Sequence, residues 1–326
     1  GLELAIRELN AEGGITVNGA NYTFKLERLD DRTDPTQAVS NARRLASKSN
    51  APVVFNSLAT TIGALLRINE EEGEEFLVMG YSSVHTLHEL GNELFINPAA
   101  NFVAYARLFA DVAWGEGYRT CAMAVTLGTY GDAWRGVWKA VWEGRGGRIV
   151  GDYPANYYTE TDFSSQITSA LGSRPDFMLI GGPSATTALM IEQARGMGFR
   201  GGFVIIDQAR MDYVTRILGG PQLLEGSVGL ANIADYPLPY APTFDKNYRD
   251  TFRRPPSWEA ALNYTTMKLI AKAMVKAGSV DDPYAIRAAL PDVFPVLGDQ
   301  FPNEAMGITD SGIFLCPGVV QTVKDG

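Results

Sequence analysis

The sequence predicts an α/β protein built from two similar halves, because one order of helices, strands and polar turns occurs twice in its 326 residues. In each half a helical stretch ends in paired glycines, at Gly13-Gly14 and again at Gly146-Gly147. Each half also has a short apolar run, at 53–55 and at 177–180, which leads into an Ala-Thr-Thr turn that opens another helix. Short apolar strands alternating with helices are typical of parallel sheets covered on both faces. We therefore expect two lobes that close on a ligand.

The first half begins with a helical pattern that ends at Gly13-Gly14, where glycine tolerates a positive φ. Residues 23–29 alternate between polar and apolar side chains and predict a strand. Asp34-Pro35 starts a second helix, with proline in the first turn, and residues 76–79 form the next apolar strand. An α/β lobe usually opens with a strand, and none precedes the first helix. We expect that a leader and a first strand are missing from this sequence; an unusually built lobe is the alternative.

The second half follows the same scheme with a helix, a strand and an aromatic-rich helix, at residues 102–114, 121–125 and 132–142. In the last of these, tryptophans recur every four residues and are expected to form a core or interface stripe: Trp134, Trp138 and Trp142. A later strand, 202–206, leads directly into Asp207. A stiff proline-rich connector, two helices and a tail of strand segments complete the chain, at 236–242, 258–277, 283–290 and 312–323.

Composition and motifs exclude several classes of function. The net charge of −9 argues against a nucleic-acid or anionic-membrane surface, which requires clustered Lys and Arg. No nucleophile elbow, phosphate loop or His-Glu-x-x-His motif is present, so we do not expect an enzyme. Cys121 and Cys316 are the only cysteines and fit no metal motif. We expect two buried thiols, although the sequence leaves one disulfide between them open.

Several stretches of the chain occur in the order of one known family: 3–15, 30–31 with 34–35, 37–39, 129–131, 161–163, 193–198 and 320–321. Together they resemble the periplasmic solute-binding proteins of branched-chain amino-acid uptake transporters, and the resemblance covers nearly the whole chain. It implies the type I periplasmic binding fold, in which two Rossmann-like lobes with parallel sheets are joined by a three-crossover hinge. The implied lobes are residues 1–96 with 232–309, and residues 97–231 with 310–326.

The resemblance also implies a function. It indicates a non-enzymatic, periplasmic or otherwise extracytoplasmic protein that binds a small polar ligand in the interlobe cleft by hinge closure. Its partner would be the membrane permease of an ABC transporter, and its signal peptide would have been removed. We expect an amino acid as the ligand, a monomer, and no cofactor or metal. Three alternatives remain open. The protein could be a ligand-sensing receptor or regulator of the same fold, its ligand could be an aromatic acid, another carboxylate or an amide, and it could carry a lipid anchor before processing.

An amino acid presents a carboxylate and an ammonium, which need hydrogen-bond donors and a carboxylate, respectively. Ser57 and Thr61 lie in a turn that offers hydroxyls beside the free N–H groups of a helix start, although a threonine there also caps helices in proteins that bind nothing. Asp207 stands where the family has an acidic partner for the ammonium; its alternative role is the N-cap of the next helix. Tyr130 stands where the family packs an aromatic ring on the ligand, and its alternative is a rim aromatic.

Four further residues complete the expected site. Ser184 lies in the corresponding turn of the second lobe and offers a hydroxyl group. Ser82 and Ser83 lie in the segment with which the family meets the ligand ammonium. His85 in the same segment departs from the family and is either a ligand contact or an ordinary surface histidine. His85 and His88 are three residues apart, but no further metal ligands accompany them.

Overall fold

A computed structural model describes residues 1–326 as a mixed α/β chain with eleven α-helices and eleven strands. The helices are α1 (Leu2–Ala11), α2 (Pro35–Ser49), α3 (Ala59–Leu65), α4 (Phe102–Gly115), α5 (Thr129–Gly144), α6 (Ser164–Gly172), α7 (Ser184–Gly196), α8 (Met211–Ile217), α9 (Ala241–Phe252), α10 (Trp258–Ala277) and α11 (Pro283–Ala289). The strands are β1 (Ile15–Val17), β2 (Ala20–Tyr22), β3 (Val53–Asn56), β4 (Leu77–Gly80), β5 (Phe95–Ile96), β6 (Thr120–Val125), β7 (Arg148–Asp152), β8 (Phe177–Gly181), β9 (Gly202–Ile205), β10 (Val228–Leu230) and β11 (Val320–Thr322). None of the helices combines the length and the apolar character that a membrane span requires.

The chain divides into two compact units. Unit 1 comprises Gly1–Ala100 and Ile233–Pro317, and unit 2 comprises Asn101–Asn232 and Gly318–Gly326. These ranges place residues 97–100 and 310–317 in unit 1, whereas the lobe ranges expected from the sequence place both segments in the second lobe.

Backbone contacts of Asn97 account for the place of these two segments. The Asn97 N–H donates to Gly312 O at 2.8 Å, and Phe314 N–H donates to Asn97 O at 2.9 Å. Cys316 Sγ lies 3.5 Å from Pro98 O. The two segments therefore stay paired with each other inside unit 1.

Unit 1 contains a parallel three-stranded sheet in the order β3-β4-β5 and a separate antiparallel hairpin, β1-β2. Its helix α2 begins as the sequence predicts, since the Asp34 side chain accepts hydrogen bonds from Thr36 N and Gln37 N at 2.7 and 2.9 Å. Fully buried β4 packs with α10 and α11 in one hydrophobic cluster, which is the burial expected of a central parallel strand.

Three segments of unit 1 differ from the sequence-based expectation. Residues 23–27 alternate between exposed and half-buried positions as a strand would, but residues 27–29 are all exposed and the segment pairs with no sheet. The strand expected around residues 312–314 is reduced to isolated bridges. Helix α9 was not predicted; Pro242 occupies its first turn, so the expected connector passes directly into a helix.

Unit 2 contains a six-stranded sheet in the order β7-β6-β8-β9-β10-β11, parallel except for β11. Strands β8 and β9 are buried throughout, with helices over the sheet as the periodicity predicts. The tryptophans of α5 are fully buried, which confirms their assignment to the core. Cys121 and Cys316 are free thiols, and Cys121 lies buried in β6.

Candidate functional site

In unit 2 the predicted site residues follow three neighbouring strands. β6 pairs with β8 and β8 pairs with β9, all parallel. Tyr130 lies in the first turn of the helix after β6, Ser184 begins the helix after β8, and Asp207 lies two residues beyond β9. Because the carboxyl ends of parallel strands meet at one edge of a sheet, where α/β proteins bind their ligands, the fold brings these three residues to one edge.

The carboxylate of Asp207 is held by two aromatic side chains of α5. Tyr130 Oη donates a hydrogen bond to Asp207 Oδ1, and Trp134 Nε1 donates to the same oxygen at 2.7 Å. Asp207 is only 6% exposed, and Trp134 is fully buried. Both donors are neutral groups, and together they fix the orientation of the Asp207 carboxyl group. Asp207 is thus part of a side-chain network across the strand ends, beyond the N-cap role considered as its alternative.

Tyr130 connects this carboxylate to the neighbouring backbone. Its Oη accepts a hydrogen bond from Gln208 N at 3.1 Å, and its ring packs edge-on against Phe102 with the centroids 5.4 Å apart. Burial, and secondly the charge of Asp207, raises the pKa of the Tyr130 phenol well above its usual value. The phenol therefore keeps its proton at neutral pH and acts as a permanent donor to Asp207.

The position of Tyr130 is set by a close approach of α5 to the end of β6. A Cβ atom at Gly131 would lie 1.6 Å from Thr126 O, a separation that no side chain tolerates. Only glycine therefore allows the first turn of α5 to sit against this carbonyl.

Ser184 has a structural contact in the same region. Its Oγ accepts a hydrogen bond from Arg210 N at 3.1 Å and so joins the start of α7 to the loop after β9. Beside it, the Thr187 hydroxyl donates to Pro183 O at 2.9 Å and so stabilises the start of α7.

Three residues of this region were not predicted: Trp134, Gln208 and Tyr158. The spacing of four residues between Tyr130 and Trp134 was the available signal, because it places both side chains on one face of a helix. Gln208 Nε2 donates to Tyr158 Oη at 2.9 Å, and Tyr158 is 63% exposed. This pair lies at the rim of the region, and no sequence motif marked it.

In unit 1 a second group of predicted residues follows β3 and β4, which are parallel and in register at Asn56 and Gly80. Ser57 follows β3 and is exposed, whereas Ser82 and Ser83 follow β4 and are buried. The two strand ends therefore bring these serines to the same edge of the sheet.

The turn after β3 is organised by Asn56. Its Oδ1 accepts hydrogen bonds from Leu58 N at 3.1 Å and from Thr61 Oγ1 at 2.6 Å, and its Nδ2 donates to Asp31 Oδ2 at 2.9 Å. Thr61 is fully buried, and its hydroxyl also lies 2.9 Å from Leu58 O. The Thr61 hydroxyl thus holds the turn together without capping α3, which has no side-chain N-cap hydrogen bond. Ser57 keeps an exposed position in the turn.

The loop after β4 is fixed by its own polar contacts. Ser82 Oγ accepts from Val84 N at 3.3 Å, and Ser82 O accepts from Asn97 Nδ2 at 2.5 Å. His85 begins a short 3₁₀ segment, His85–Leu90, directly after these residues. The loop thus presents Ser82, Ser83 and His85 in sequence at the strand end.

The ring of His88 lies between two polar groups. Its Nδ1 lies 3.1 Å from Ser311 O, and its Nε2 lies 3.1 Å from Asn97 Nδ2. This arrangement fits the neutral tautomer with the proton on Nδ1. Burial lowers the pKa of His88. No group of three or more His, Cys, Asp or Glu side chains is arranged to hold a metal ion.

The chain is similar to a known protein family and to solved structures of the same fold. A family model described as periplasmic binding protein matches residues 1–310. A comparison with curated protein sequences finds no significant match.

Among solved structures, the chain is similar to the branched-chain amino acid transporter substrate binding protein LivJ of Streptococcus pneumoniae in complex with isoleucine. The sequence identity is 17%, the match covers 99% of this chain and 89% of that chain, and the TM-score is 0.82. It is similar to the leucine binding protein LivK of Thermotoga maritima, with 21% identity, coverage of 99% and 90%, and a TM-score of 0.81. It is also similar to an ABC-transporter solute binding protein of R. palustris in complex with benzoate, with 15% identity, coverage of 100% and 87%, and a TM-score of 0.79. These likenesses show the fold.

Proposed function

The chain belongs to the periplasmic binding protein family, and from this premise we propose that it is the solute-binding component of an ABC uptake transporter with an amino acid as its ligand. Two structures of the same fold belong to proteins described as binding branched-chain amino acids or leucine. Because the sequences of these two proteins are distant from this chain, the proposed ligand rests on the residues of this chain itself.

The observation that carries the proposal is the buried, oriented carboxylate of Asp207. Its Oδ1 accepts from Tyr130 and Trp134, so the carboxylate is held in a fixed orientation at the strand ends of unit 2. The ammonium of an amino acid supplies both a positive charge and up to three donors.

For the ligand carboxylate we propose the hydroxyl and N–H donors of unit 1. The exposed Ser57 hydroxyl is the candidate for this contact. Ser82 and Ser83 on the adjacent strand end are candidates for the ammonium side of the ligand, and His85 is a further candidate ligand contact. Thr61 acts through the turn that holds Ser57, since its own hydroxyl lies against Asn56 and Leu58. Tyr130 and Ser184 complete the proposed set in unit 2.

We further propose a non-enzymatic cycle outside the cytoplasm. The ligand is captured by closure of the two lobes, as the sequence predicts, and is released to a membrane permease. Ligands populate the closed state only to the extent that they bind it more tightly than the open state. Small-angle scattering with and without ligand tests closure, and recovery of the unaltered ligand tests the absence of turnover.

The decisive experiment is calorimetric titration of the protein with leucine, isoleucine and benzoate, before and after Asp207→Asn. The substitution keeps the shape of the side chain and removes its charge. Loss of a hydrogen-bonded charge pair should weaken amino-acid binding about a hundredfold. Asp132→Asn is the matched control, because this exposed carboxylate lies in the first turn of the same α5 helix and its loss changes the net charge equally.

The results separate the parts of the proposal. Amino-acid binding that is lost in Asp207→Asn and retained in Asp132→Asn supports it, provided that both variants melt at similar temperatures. Equal affinity of Asp207→Asn and the unsubstituted protein for leucine removes Asp207 as the ammonium partner. Binding of benzoate alone removes the amino acid as ligand.

A further inference from the structure

Unit 1 contains a small layer of three short extended segments within residues 295–316. The middle segment pairs with both of its neighbours. Its Ala305 exchanges two backbone hydrogen bonds with Val296, at 2.7 and 3.1 Å, and its Met306 N–H donates to Leu315 O at 2.9 Å. The bridges within this layer are antiparallel. We refer to it as the three-segment layer.

One side of the three-segment layer is packed in the core. Val296, Ala305 and Phe314, one from each segment, are at most 2% exposed. Together with Leu269 of α10 they belong to one hydrophobic cluster. This inner side therefore has its packing partners within unit 1.

The outer side of the layer is also apolar, but it is exposed. Each of the three buried residues is followed directly by a large apolar residue. The exposed fractions of these three side chains are 44% for Leu297 and 51% each for Met306 and Leu315. Because successive residues of an extended chain point to opposite faces, all three side chains lie on the outer side.

The three exposed side chains adjoin one another. Met306 and Leu315 lie on neighbouring segments that share a hydrogen bond. Leu297 is diagonal to Met306, because the residues that precede them are paired, and long side chains reach across the separation of about 7–8 Å that a diagonal pair has. A single exposed leucine needs no explanation, whereas adjoining ones mark an interaction surface. We call these three residues the outer apolar face.

The charges around the outer apolar face are acidic. No Lys or Arg occurs in residues 288–323, which include the whole three-segment layer. Asp299 is exposed in the turn after the first segment, and the half-exposed Glu304 lies in the middle segment. At the other turn, Arg287 donates to Asp310 O at 2.9 Å. The acidic excess therefore lies at the end of the layer that contains Asp299 and Glu304.

Width and charge together select one kind of occupant. Three segments spaced by about 4.8 Å form a face about 10 Å wide, which matches the diameter of about 10 to 12 Å of one α-helix. An anionic lipid surface would meet Asp299 and Glu304 as like charges. A second copy of this chain would bring together two units in which acidic residues outnumber Lys and Arg. Complementarity therefore favours a cationic partner.

We infer that the outer apolar face docks an amphipathic α-helix of another protein, one whose apolar stripe is flanked by Lys or Arg side chains. Leu297, Met306 and Leu315 pack against the stripe, and Asp299 and Glu304 face the cationic side chains. The three-segment layer is then covered on both sides, as an apolar sheet requires. This surface goes beyond the proposed function and does not depend on the solute.

The probe is a fluorescein-labelled helical peptide, Leu-Lys-Lys-Leu-Leu-Lys-Leu-Leu-Lys-Lys-Leu-Leu-Lys-Leu, whose leucines share one face. Its binding to the whole protein is measured by fluorescence anisotropy. Met306→Gln combined with Leu315→Gln should raise the dissociation constant at least about tenfold, because two apolar contacts are lost without a change in charge. Leu90→Gln combined with Val275→Gln is the matched control and should leave it unchanged, since these side chains of unit 1 are 54% and 47% exposed.

Two further comparisons separate this surface from general attraction of a basic peptide to an acidic protein. A peptide of the same composition, scrambled so that its leucines share no face, should bind at least about tenfold more weakly. Asp299→Asn should weaken binding about two- to fivefold, as expected for an exposed charge pair. Glu72→Gln should not, although Glu72 is an exposed residue of the acidic run 70–75 in the same unit.

Weaker binding of the probe to the Met306 and Leu315 double variant alone supports the inference, provided that both double variants melt at the temperature of the unsubstituted protein. Absence of binding, equal binding of the scrambled peptide, equal affinity of the two double variants, or dependence on Glu72 instead of Asp299 overturns it.

The other occupants are tested on the same variants. Sedimentation with phosphatidylglycerol vesicles, or self-association in sedimentation velocity runs at rising protein concentration, overturns the choice of a cationic helix if Met306→Gln with Leu315→Gln abolishes it. None of these measurements contains the solute, so this inference and the proposed function fail separately.

Discussion

The Tyr130 hydroxyl offers a direct test of how the Asp207 network contributes to the stability of unit 2. In Tyr130→Phe the ring and its packing against Phe102 remain, but two hydrogen bonds of Oη disappear. The bond to ionised Asp207 is expected to contribute about 1.5 to 3 kcal/mol, and the unpaired Gln208 N–H adds a further cost. Trp134 still donates to Asp207, so we expect a loss of about 2 to 3 kcal/mol in the unfolding free energy rather than complete unfolding.

The assay is urea denaturation followed by pulsed hydrogen–deuterium exchange and mass spectrometry of peptides from β6, β8 and β9. These strands belong to unit 2 and report its unfolding separately from that of unit 1. The pH profile gives a second, independent readout. Since the folded-state pKa of Tyr130 is raised, the phenol's contribution is complete below about pH 10 and is lost as the pH rises above it.

Tyr130→Phe should therefore be less stable than the unsubstituted protein at pH 8 and should lose less stability on going above pH 10. Tyr158→Phe is the comparison, because the exposed Tyr158 hydroxyl accepts only from the Gln208 side chain. Equal stability of Tyr130→Phe and the unsubstituted protein at pH 8, with identical alkaline profiles, would refute the assigned network.

Two further perturbations test other parts of the structure. Gly131→Ala introduces a Cβ that would lie 1.6 Å from Thr126 O, so the first turn of α5 must move. We expect the free energy of unfolding, measured by urea denaturation, to fall by about 3 kcal/mol or more. Gly136→Ala is the control, because a Cβ at this position of the same helix meets open space, and it should be neutral or slightly stabilising. Burial lowers the pKa of His88, so its contribution to unit 1 is complete above about pH 6.5 and is lost as the pH falls through the lowered folded-state value. Melting curves between pH 7 and 4 should show a smaller acid-induced loss in His88→Gln than in His85→Gln, and equal losses would contradict the assigned role of the buried ring.

Much of the fold follows from local signals that act within a few residues. Asp34-Pro35 starts α2 through a side-chain cap, and the apolar run at 177–180 forms a buried strand. The segment 23–29 has the alternation of a strand, but pairing depends on a neighbour that local pattern cannot supply. Helix α9 was missed because prolines at 237, 239 and 242 favour a connector, although the last of them is acceptable in the first turn of a helix.

The site was predicted in parts, and its connections were not. Residue type and position suggested Asp207 and Tyr130 separately, but their mutual hydrogen bond depends on how α5 lies against the end of β9. Trp134 was assigned only to the core because its spacing matches a buried stripe. Trp134 belongs to the core and also donates a hydrogen bond to Asp207. The spacing of tryptophans along the sequence cannot distinguish a buried indole that has a polar partner from one that has none.

The aromatic stripe of α5 has a further consequence for optical measurements. Four of the five tryptophans lie in unit 2: Trp114, Trp134, Trp138 and Trp142. The rings of Trp138 and Trp142 stack with their centroids 5.6 Å apart. Because the Trp134 indole N–H bonds to the Asp207 carboxylate, any change in the charge near that carboxylate alters the electric field along the indole ring. Trp134 is therefore an intrinsic fluorophore in direct contact with the proposed ligand-binding acid.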